Sequence, residues 1–203
     1  MSYKIDGIHS LYIADQSQSV TICNIHSETS SDNANLKVEI RAKLDIDTAK
    51  EGRILFIEAM PSQLLVVATE TVVNGHSACK ISFWKCDLKT NAAPTRTSTV
   101  DYRDRLPMCT QKLRMPGSVV EDILFVGFQN GSHVLLDCRN CKILRENVPD
   151  KNKSGGTNAI LGAGFSPNSI DCVVATWDTD HDQIIMECFP DILKVAKKLG
   201  TGE

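Results

Sequence analysis

Short apolar runs separated by polar turns recur along this chain, most clearly between Ile123 and Glu146. There an apolar run typical of a strand covered on both faces is followed by a turn, a strand, a second turn and a third strand. These segments are 123–126, 129–132, 133–136, 137–140 and 141–145. The first turn contains Asn130-Gly131, the pair that best accepts the positive φ angles of a tight hairpin. Three such strands cannot bury their own faces, so this meander predicts similar neighbours that pack against it.

The same strand–turn–strand pattern occurs at three other places in the chain. The additional predicted hairpins are 11–15 with 19–25, 64–68 with 80–85 across a longer turn, and 172–176 with 183–188. One more candidate strand precedes each hairpin, at 2–8, 53–59, 109–115 and 159–165, and a further strand follows some of them, at 36–42, 97–102 and 141–145. This repetition predicts an all-β protein, a β-propeller of four-stranded antiparallel blades. The predicted blades span residues 1–45, 50–104, 106–147 and 157–189.

Several segments of the chain resemble WD40 repeats. Residues 164–168 (GFSPN) followed by 173–178 (VVATWD) resemble the strand–turn–strand part of a repeat, and 83–90 (FWKCDLKT) and 135–140 (LLDCRN) resemble the strand that usually ends in Trp-Asp. The Trp-Asp pair is broken by Lys85-Cys86, and the Gly-His signature is absent. Equivalent positions are 53, 60 and 49 residues apart, at Leu11, Leu64, Leu124 and Val173, against about 40–45 in the family. The resemblance implies divergent blades with insertions, and other blade families such as kelch stay open.

Counting strands predicts that the propeller is one strand short. If residues 2–8 form the inner strand of the first blade, the last blade lacks its outer strand. If they complete the last blade instead, the first blade lacks its inner strand. WD40-like rings usually carry about six to eight blades, so four predict an incomplete ring. An unpaired blade edge attracts another chain, and we expect either a fragment of a larger propeller or a subunit whose ring a partner completes.

Three polar connectors and a C-terminal segment complete the predicted architecture. The connectors 26–35, 89–99 and 145–157 are poor in apolar residues, which predicts exposed loops. In the segment 190–203, Asp191 can cap a short helix with apolar residues at helical spacing. Those residues are Ile192, Val195, Ala196 and Leu199. A helix of about ten residues is unstable alone, so we expect it to pack on its own domain or on a partner.

Composition and charge narrow the range of partners and compartments. The formal net charge of -3 predicts no direct binding to nucleic acid, and no apolar run is long enough to span a membrane. Most of the eight cysteines lie inside apolar, strand-like segments, where cysteine behaves as a small buried hydrophobe. The N-terminal residues lack the pattern of a secretory signal. These features predict a cytoplasmic or nuclear protein with reduced cysteines.

Two motifs are candidates for chemistry. Cys138 and Cys141 form a C-x-x-C that could act as a redox pair or as half of a zinc site. It lies in a predicted β-turn without a second ligand pair, so we interpret it as a hairpin turn. Residues 178–182 (DTDHD) could ligate a hard cation, but the later glycine and glutamate of an EF-hand are missing. We interpret them as solvated turn residues, and the sequence predicts no metal, cofactor, catalytic residue or small-molecule substrate.

Repeats without a catalytic motif predict a non-catalytic scaffold that binds other protein subunits in a larger complex. The candidate partner-binding residues lie in or beside turns: Asp15, His76, His133, Asp178 and His181. One alternative is an enzyme that uses the central funnel of the propeller, with Asp15, Asp178 and His181 near the channel. Another is a phosphopeptide or methyl-lysine reader at the same place. The low aromatic content, 5%, disfavours an aromatic cage.

Overall fold

The computed structural model describes residues 2–5, 8–15, 19–30, 33–46, 52–61, 63–87, 90, 92–114, 123–148, 158–165, 171–178 and 181–189. Every regular element in these ranges is a β-strand, which confirms the predicted all-β fold. The strands found there are β1 (Ser2–Ile5), β2 (Ile8–Ala14), β3 (Ser19–Ser30), β4 (Asn33–Asp45), β5 (Arg53–Met60), β6 (Leu64–Val73), β7 (His76–Lys85), β8 (Thr95–Arg103), β9 (Pro107–Leu113), β10 (Ile123–Phe128), β11 (His133–Asp137), β12 (Lys142–Asn147), β13 (Asn158–Phe165), β14 (Cys172–Asp178) and β15 (Gln183–Phe189).

The strands form four sheets, each built from strands that are consecutive in the chain. The first three sheets are four-stranded, with the orders β1-β2-β3-β4, β5-β6-β7-β8 and β12-β11-β10-β9. The fourth sheet has the order β13-β14-β15 within the described residues. All neighbouring strands are antiparallel. Four successive antiparallel meanders are the blade arrangement that the sequence predicted.

The first strand belongs to the first sheet. β1 pairs with β2 in a register that runs from Ser2↔Leu11 to Ile5↔Ile8. The predicted strand 2–8 is therefore divided, because Ile8 already begins β2. Of the two arrangements that strand counting allowed, the structure has the one in which the first blade is complete. The last blade is then the three-stranded one in the described part of the chain.

The chain divides into two compact units, Met1–Asp104 and Arg105–Glu203, each with its own buried apolar cluster. In the first unit, one face of the first sheet packs on the second sheet. The main residues of this cluster are Tyr12, Val20, Ile22, Leu44, Leu65, Val67 and Trp84. In the second unit, one face of the fourth sheet packs on the third sheet, through Leu113, Ile123, Phe125, Leu135, Ile160, Cys172 and Val174. Burial of apolar area between facing sheets is the main stabilising contribution in each unit.

The β6–β7 hairpin is longer and tighter than the sequence pattern indicated. The interpretation of residues 69–79 as part of a longer turn is wrong, since β6 continues to Val73 and β7 begins at His76. Only Asn74 and Gly75 separate the two strands, with φ angles of 54° and 80°. Positive φ at both central residues is the geometry of a type I′ turn, whose twist matches that of the flanking strands.

The predicted loop at 26–35 is also wrong, because most of it lies in strands. β3 continues to Ser30 and β4 begins at Asn33, and the two pair from Ser30↔Asn33 onwards. Backbone hydrogen bonds can extend a hairpin through residues of low apolar content, since the ladder itself needs no side chain. The connector 89–99 is shorter than predicted, because β8 begins at Thr95.

The predicted Asn130-Gly131 turn between β10 and β11 is confirmed, but the two residues do not both have the positive φ angles that an Asn-Gly pair accepts. Only Gly131 has a positive φ, 76°, and its N–H donates to the Phe128 carbonyl at 3.1 Å. The Asn130 side-chain oxygen accepts from the Ser132 N–H at 3.1 Å, which closes the turn. The predicted helix at 190–203 and most of the connector 145–157 lie outside the described residues. No helix in the described part of the chain is long and apolar enough to cross a membrane.

Candidate interaction surfaces

Asp15 closes the turn between β2 and β3. Its carboxylate oxygen Oδ1 accepts from the Ser19 N–H and from the Ser19 hydroxyl, both at 3.3 Å. Its own N–H donates to the Ser19 carbonyl at 3.1 Å. A short acidic side chain that bonds the backbone a few residues on is a common way to stabilise a turn. The side chain is exposed and lies in the first unit.

His76 lies at the start of β7, beside the type I′ turn. Its Nδ1 is 3.3 Å from Asp104 Oδ1, and both side chains are largely exposed. The two residues line a shallow pocket together with Asn74, Ser77, Ala78 and Arg103. Because its side chain is largely exposed, His76 is a surface residue that a partner can contact.

Asp178 and His181 contact each other in the turn between β14 and β15. His181 Nδ1 is 2.7 Å from Asp178 Oδ2, and the His181 N–H donates to Asp178 Oδ1 at 3.4 Å. The Asp178 side chain is mostly buried, whereas that of His181 is exposed. Next to this pair, the Trp177 indole Nε1 donates to Asp182 Oδ1 at 3.2 Å. These contacts give the turn a fixed arrangement of one imidazole, two carboxylates and one indole.

His133 is inside the second unit. Its side chain is 1% exposed, and its ring lies 5.6 Å from the Phe125 ring at an interplanar angle of 34°. Burial, and secondarily the positive charge of Arg145, lowers the pKa of His133 to about 4. The imidazole is therefore neutral at pH 7. In this structure the imidazole lies in the interior of the unit, away from solvent.

The structure thus brings together only two of the five candidate residues, Asp178 and His181. Asp15 and His76 lie in the first unit, each in its own turn, and His133 is buried in the second. Among the described residues, no group of three or more His, Cys, Asp or Glu side chains is placed to hold a metal ion. The partner-binding role of these residues stays a prediction.

Cys138 and Cys141 lie in the turn between β11 and β12, as the sequence predicted. Asp137 organises this turn, since its Oδ1 accepts from the Arg139 N–H at 2.9 Å and from the Asn140 N–H at 3.2 Å. Cys141 has a positive φ of 51°. The Cys138 thiol is buried and donates to the Leu136 carbonyl at 3.8 Å. The two cysteines are not joined by a disulfide, and the geometry is that of a hairpin turn.

The outer face of the fourth sheet is apolar and exposed, a feature that the sequence pattern did not predict. Antiparallel pairing places Trp177 opposite Ile184 and Ala175 opposite Met186. The exposed fractions of Trp177, Ile184 and Met186 are 43%, 65% and 64%. The alternate residues of β14 point the other way and are buried against the third sheet. We call this surface the fourth-sheet face; it consists of Val173, Ala175, Trp177, Ile184, Met186 and Cys188.

The first sheet has a second surface of the same kind. Ile13, Val38 and Ile40 are exposed on the face opposite the buried core of the first unit. Register places Leu11, Cys23 and Ile40 in one row across the sheet, and Ile13, Thr21 and Lys43 in another. We call this surface the first-sheet face; it consists of Leu11, Ile13, Ile25, Val38 and Ile40. The signal in the sequence was the alternation of apolar residues in β4, Val38 and Ile40.

The chain is similar to solved β-structures at low sequence identity. It matches the crystal structure of Sqt1 from Saccharomyces cerevisiae with a TM-score of 0.52 and 9% identity, over 89% of this chain and 48% of that one. The WD40 domain of SCAP from fission yeast matches with a TM-score of 0.47 and 12% identity, over 93% and 40%. The C-terminal WD40 domain of Sif2 matches with a TM-score of 0.47 and 9% identity, over 91% and 57%. No family model and no curated protein matches the sequence.

This chain has the fold of a partial WD40-like β-propeller. The match to Sqt1 and the four antiparallel meanders agree on this point. The chain spans about half of the length of the three propellers, between 40% and 57%. At identities this low the likeness establishes the fold alone. The four sheets are therefore propeller blades.

The buried thiols of the propeller give the first testable prediction. Burial raises the pKa of Cys79 and Cys86 to about 12 and that of Cys172 to about 11. Because only the thiolate reacts, we expect iodoacetamide at pH 8 to label these three at least about 100-fold more slowly in the folded chain than in urea. Cys188 is exposed and is the internal control. Mass spectrometry of tryptic peptides measures the rates, and equal labelling of all four in the folded chain would contradict the blade assignment.

Proposed function

We propose that this protein is a non-catalytic scaffold, a propeller subunit that binds other protein subunits of a larger intracellular complex. The observation that carries this proposal is the fourth-sheet face. A surface sheet normally buries one face and exposes polar residues on the other. Here the second face carries Trp177, Ile184 and Met186, and contiguous exposed apolar surface of this kind marks protein contacts.

The gain from covering this face is large enough to support binding. Complete burial of one large apolar side chain stabilises by about 1.5–3 kcal/mol. The three exposed side chains together therefore offer on the order of 5 kcal/mol before the entropic cost of association. The indole of Trp177 is held by its hydrogen bond to Asp182. Because this hydrogen bond already restricts the indole, a partner that covers it causes little further loss of side-chain entropy. Buried tryptophans often contribute a large share of the binding energy of an interface.

The edge of the last blade offers a second mode of contact. Within the described residues, β15 is the outermost strand of the fourth sheet, whereas the other sheets have a fourth strand. An edge strand presents backbone N–H and C=O groups that an extended segment of another chain can pair with. We propose that the partner completes the ring by covering the fourth-sheet face, by pairing with this edge, or both.

The experiment compares partner binding by two matched variants. The test variant combines Ile184→Lys with Met186→Lys on the fourth-sheet face. The control combines Val72→Lys with Met108→Lys, two similarly exposed apolar residues elsewhere. We expect affinity purification from the native cell to recover a defined set of partner proteins with the wild type and the control, and to lose that set with the test variant. The proposal fails if the test variant, shown by circular dichroism to be folded, recovers the same proteins.

The alternative of an enzyme or a peptide reader at the central funnel is favoured by one observation. Asp178 and His181 are within hydrogen-bond distance, and such a pair can move a proton. The two residues are three positions apart in one turn, and Asp178 also accepts the backbone N–H of His181. That is the local contact by which an aspartate closes a turn. The scaffold proposal therefore needs fewer assumptions.

We place the protein in the cytoplasm or the nucleus as part of the same proposal. Five of the eight cysteines are buried: Cys23, Cys79, Cys86, Cys138 and Cys172. They fill space between strands as small apolar side chains. A reducing compartment keeps them in that state. Fluorescence microscopy of the protein tagged at its endogenous locus tests the assignment, and a secretory-pathway pattern would contradict it.

A further inference from the structure

The β11–β12 turn carries two thiols of different exposure, Cys138 and Cys141. We propose that this turn is a thiol–disulfide modification site, separate from any scaffold role of the chain. A small disulfide such as oxidised glutathione reacts with the turn, and the two cysteines become joined by a reversible intramolecular disulfide. Disulfides that form in reducing compartments are usually of this transient kind.

The pairing of β11 with β12 brings the two cysteines together. Asp137 pairs with Lys142, so residues 138–141 form the connection and the cysteines are its first and last residues. The Cα atoms at positions i and i+3 of a turn are less than about 7 Å apart, and a disulfide spans about 4.4–6.8 Å between Cα atoms. The Cys141 thiol donates to the Cys138 carbonyl, with 3.9 Å between sulfur and oxygen. The Cys141 side chain therefore already lies against the backbone of Cys138.

Hydrogen bonds to Asp137 hold the turn in this shape. Its Oδ1 accepts from the backbone N–H groups of Arg139 and Asn140, and its Oδ2 accepts from the Asn140 side-chain amide at 2.7 Å. These three bonds restrict the backbone between the two cysteines. A restricted turn holds one thiol near the other at a high effective concentration, which favours an intramolecular reaction over an intermolecular one.

The two thiols differ in exposure, and this difference assigns each of them a role. Cys141 is partly buried, whereas Cys138 is 4% exposed and its thiol donates to the Leu136 carbonyl at 3.8 Å. A disulfide that arrives from solvent can therefore reach Cys141 more readily than Cys138. Once Cys141 carries the oxidant, its own sulfur is a disulfide sulfur within the same turn as Cys138. Cys141 is thus the residue that is attacked first, and Cys138 resolves the product.

The reaction consists of two successive thiol–disulfide exchanges. The Cys141 thiolate attacks one sulfur of oxidised glutathione, forms a mixed disulfide and releases one glutathione thiolate. The Cys138 thiolate then attacks Cys141 Sγ, breaks the mixed disulfide and releases the second glutathione thiolate. The two glutathione thiolates take up the two protons that the cysteines lose. The cysteines together lose two electrons, and one oxidised glutathione is reduced to two thiols.

Arg139 lies between the two cysteines and makes the disulfide directly measurable. Trypsin cleaves after Arg139, which places Cys138 in peptide 115–139 and Cys141 in peptide 140–142, each with one cysteine. The folded chain is incubated with oxidised glutathione, blocked with N-ethylmaleimide, unfolded in urea and digested without reduction. We expect monomeric chain to yield the two peptides as one linked species, two hydrogen atoms lighter than their sum. Dithiothreitol should separate them again.

Single variants test the two roles separately. In Cys138→Ala, we expect the reaction to stop at the mixed disulfide of Cys141, with a lifetime at least about tenfold longer than in the wild type. In Cys141→Ser, we expect Cys138 to stay unmodified while the chain is folded. The matched control is Cys188→Ser, which removes an exposed cysteine outside this turn and should leave the yield of linked peptide unchanged. Circular dichroism confirms that each variant is folded.

Three results with the wild type would overturn the proposed modification site. A stable mixed disulfide at Cys141 without the linked peptide would show that Cys138 does not reach it. A linked peptide that is found only in covalent dimers would show that the disulfide joins two chains. An unmodified Cys141, under conditions that modify the exposed Cys188, would show that the turn does not react with the oxidant.

Discussion

Gly52→Ala is expected to lower the free energy of unfolding by about 4 kcal/mol, a large effect for one methyl group. Gly52 precedes β5 and has a φ of 74°, a conformation that L-residues with a side chain rarely adopt. An added Cβ would lie 1.4 Å from the Glu70 carbonyl oxygen. That oxygen belongs to the backbone of β6, which pairs with β5 at Arg53↔Glu70. Relief of the clash therefore requires the two strands to separate at this end.

Gly75→Ala is the matched control for this substitution. Gly75 also has a positive φ, 80°, but an added Cβ at Gly75 meets nothing within 4 Å. The expected cost is only that of the left-handed backbone conformation, about 1 kcal/mol. Urea denaturation followed by tryptophan fluorescence and circular dichroism measures both variants. Equal destabilisation by the two substitutions would show that Gly52 does not approach the backbone of β6.

Acidification from pH 7 to pH 4 is expected to destabilise the protein by about 3 kcal/mol through His133 alone. The pKa of this histidine is about 4 in the folded chain, chiefly because of burial, and about 6.5 in the unfolded chain. Below pH 6.5 the unfolded state takes up a proton that the folded state does not. The free energy of unfolding therefore decreases as the pH falls from about 6.5 to about 4, and this contribution levels off below pH 4.

His133→Leu removes the titrating imidazole, so that its contribution to the pH dependence of stability can be separated from that of the other titratable groups. The wild type and the variant are unfolded in urea at half-unit pH intervals between 4 and 7. The remaining titratable residues are the same in the two proteins. The difference between the wild type and the variant in the slope of the free energy of unfolding against pH therefore isolates the contribution of His133. We expect the wild type to lose about 3 kcal/mol more than the variant over this range. Parallel curves would mean that the imidazole is accessible to water in the folded state.

Much of the strand pattern could be predicted because local signals agreed with one another. The β10–β11 hairpin combines a uniformly apolar run, an Asn-Gly turn and a second apolar run. Every residue of β10 is buried, as the run 123–126 indicated. The Asp137 turn was also recognised, since an aspartate that bonds two backbone N–H groups is a local feature. Elements of this kind need no information from distant parts of the chain.

The hairpin extensions could not be predicted because their stability is not local. The β3–β4 segment between His26 and Asn35 carries few apolar residues, which is typical of a loop. It forms strands because β3 and β4 are already paired at Ile22↔Ala42, and each further residue pair adds backbone hydrogen bonds. In the β6–β7 hairpin, the Asn74-Gly75 signal was present in the sequence. The interpretation of residues 69–79 as part of a longer turn did not use this signal.

The surfaces that matter most for function depend on tertiary structure. In β14, Val173, Ala175 and Trp177 alternate with Cys172, Val174 and Thr176, and the sequence alone does not tell which set is buried. The buried set is decided by the packing of the fourth sheet on the third. The same reason explains the burial of His133, which follows a turn and is one of the candidate partner-binding residues. Its strand, β11, is buried from His133 to Leu136.

Oxidation of two methionines tests most directly whether the fourth-sheet face is an interface. Met186 lies on that face and is 64% exposed, and Met108, in β9, is 62% exposed. Both should react at similar rates with dilute hydrogen peroxide in the purified chain, where no other subunit covers either side chain. In the native complex isolated from cells, we predict that Met186 is protected at least about tenfold relative to Met108. Equal oxidation of the two methionines in the native complex would contradict the account.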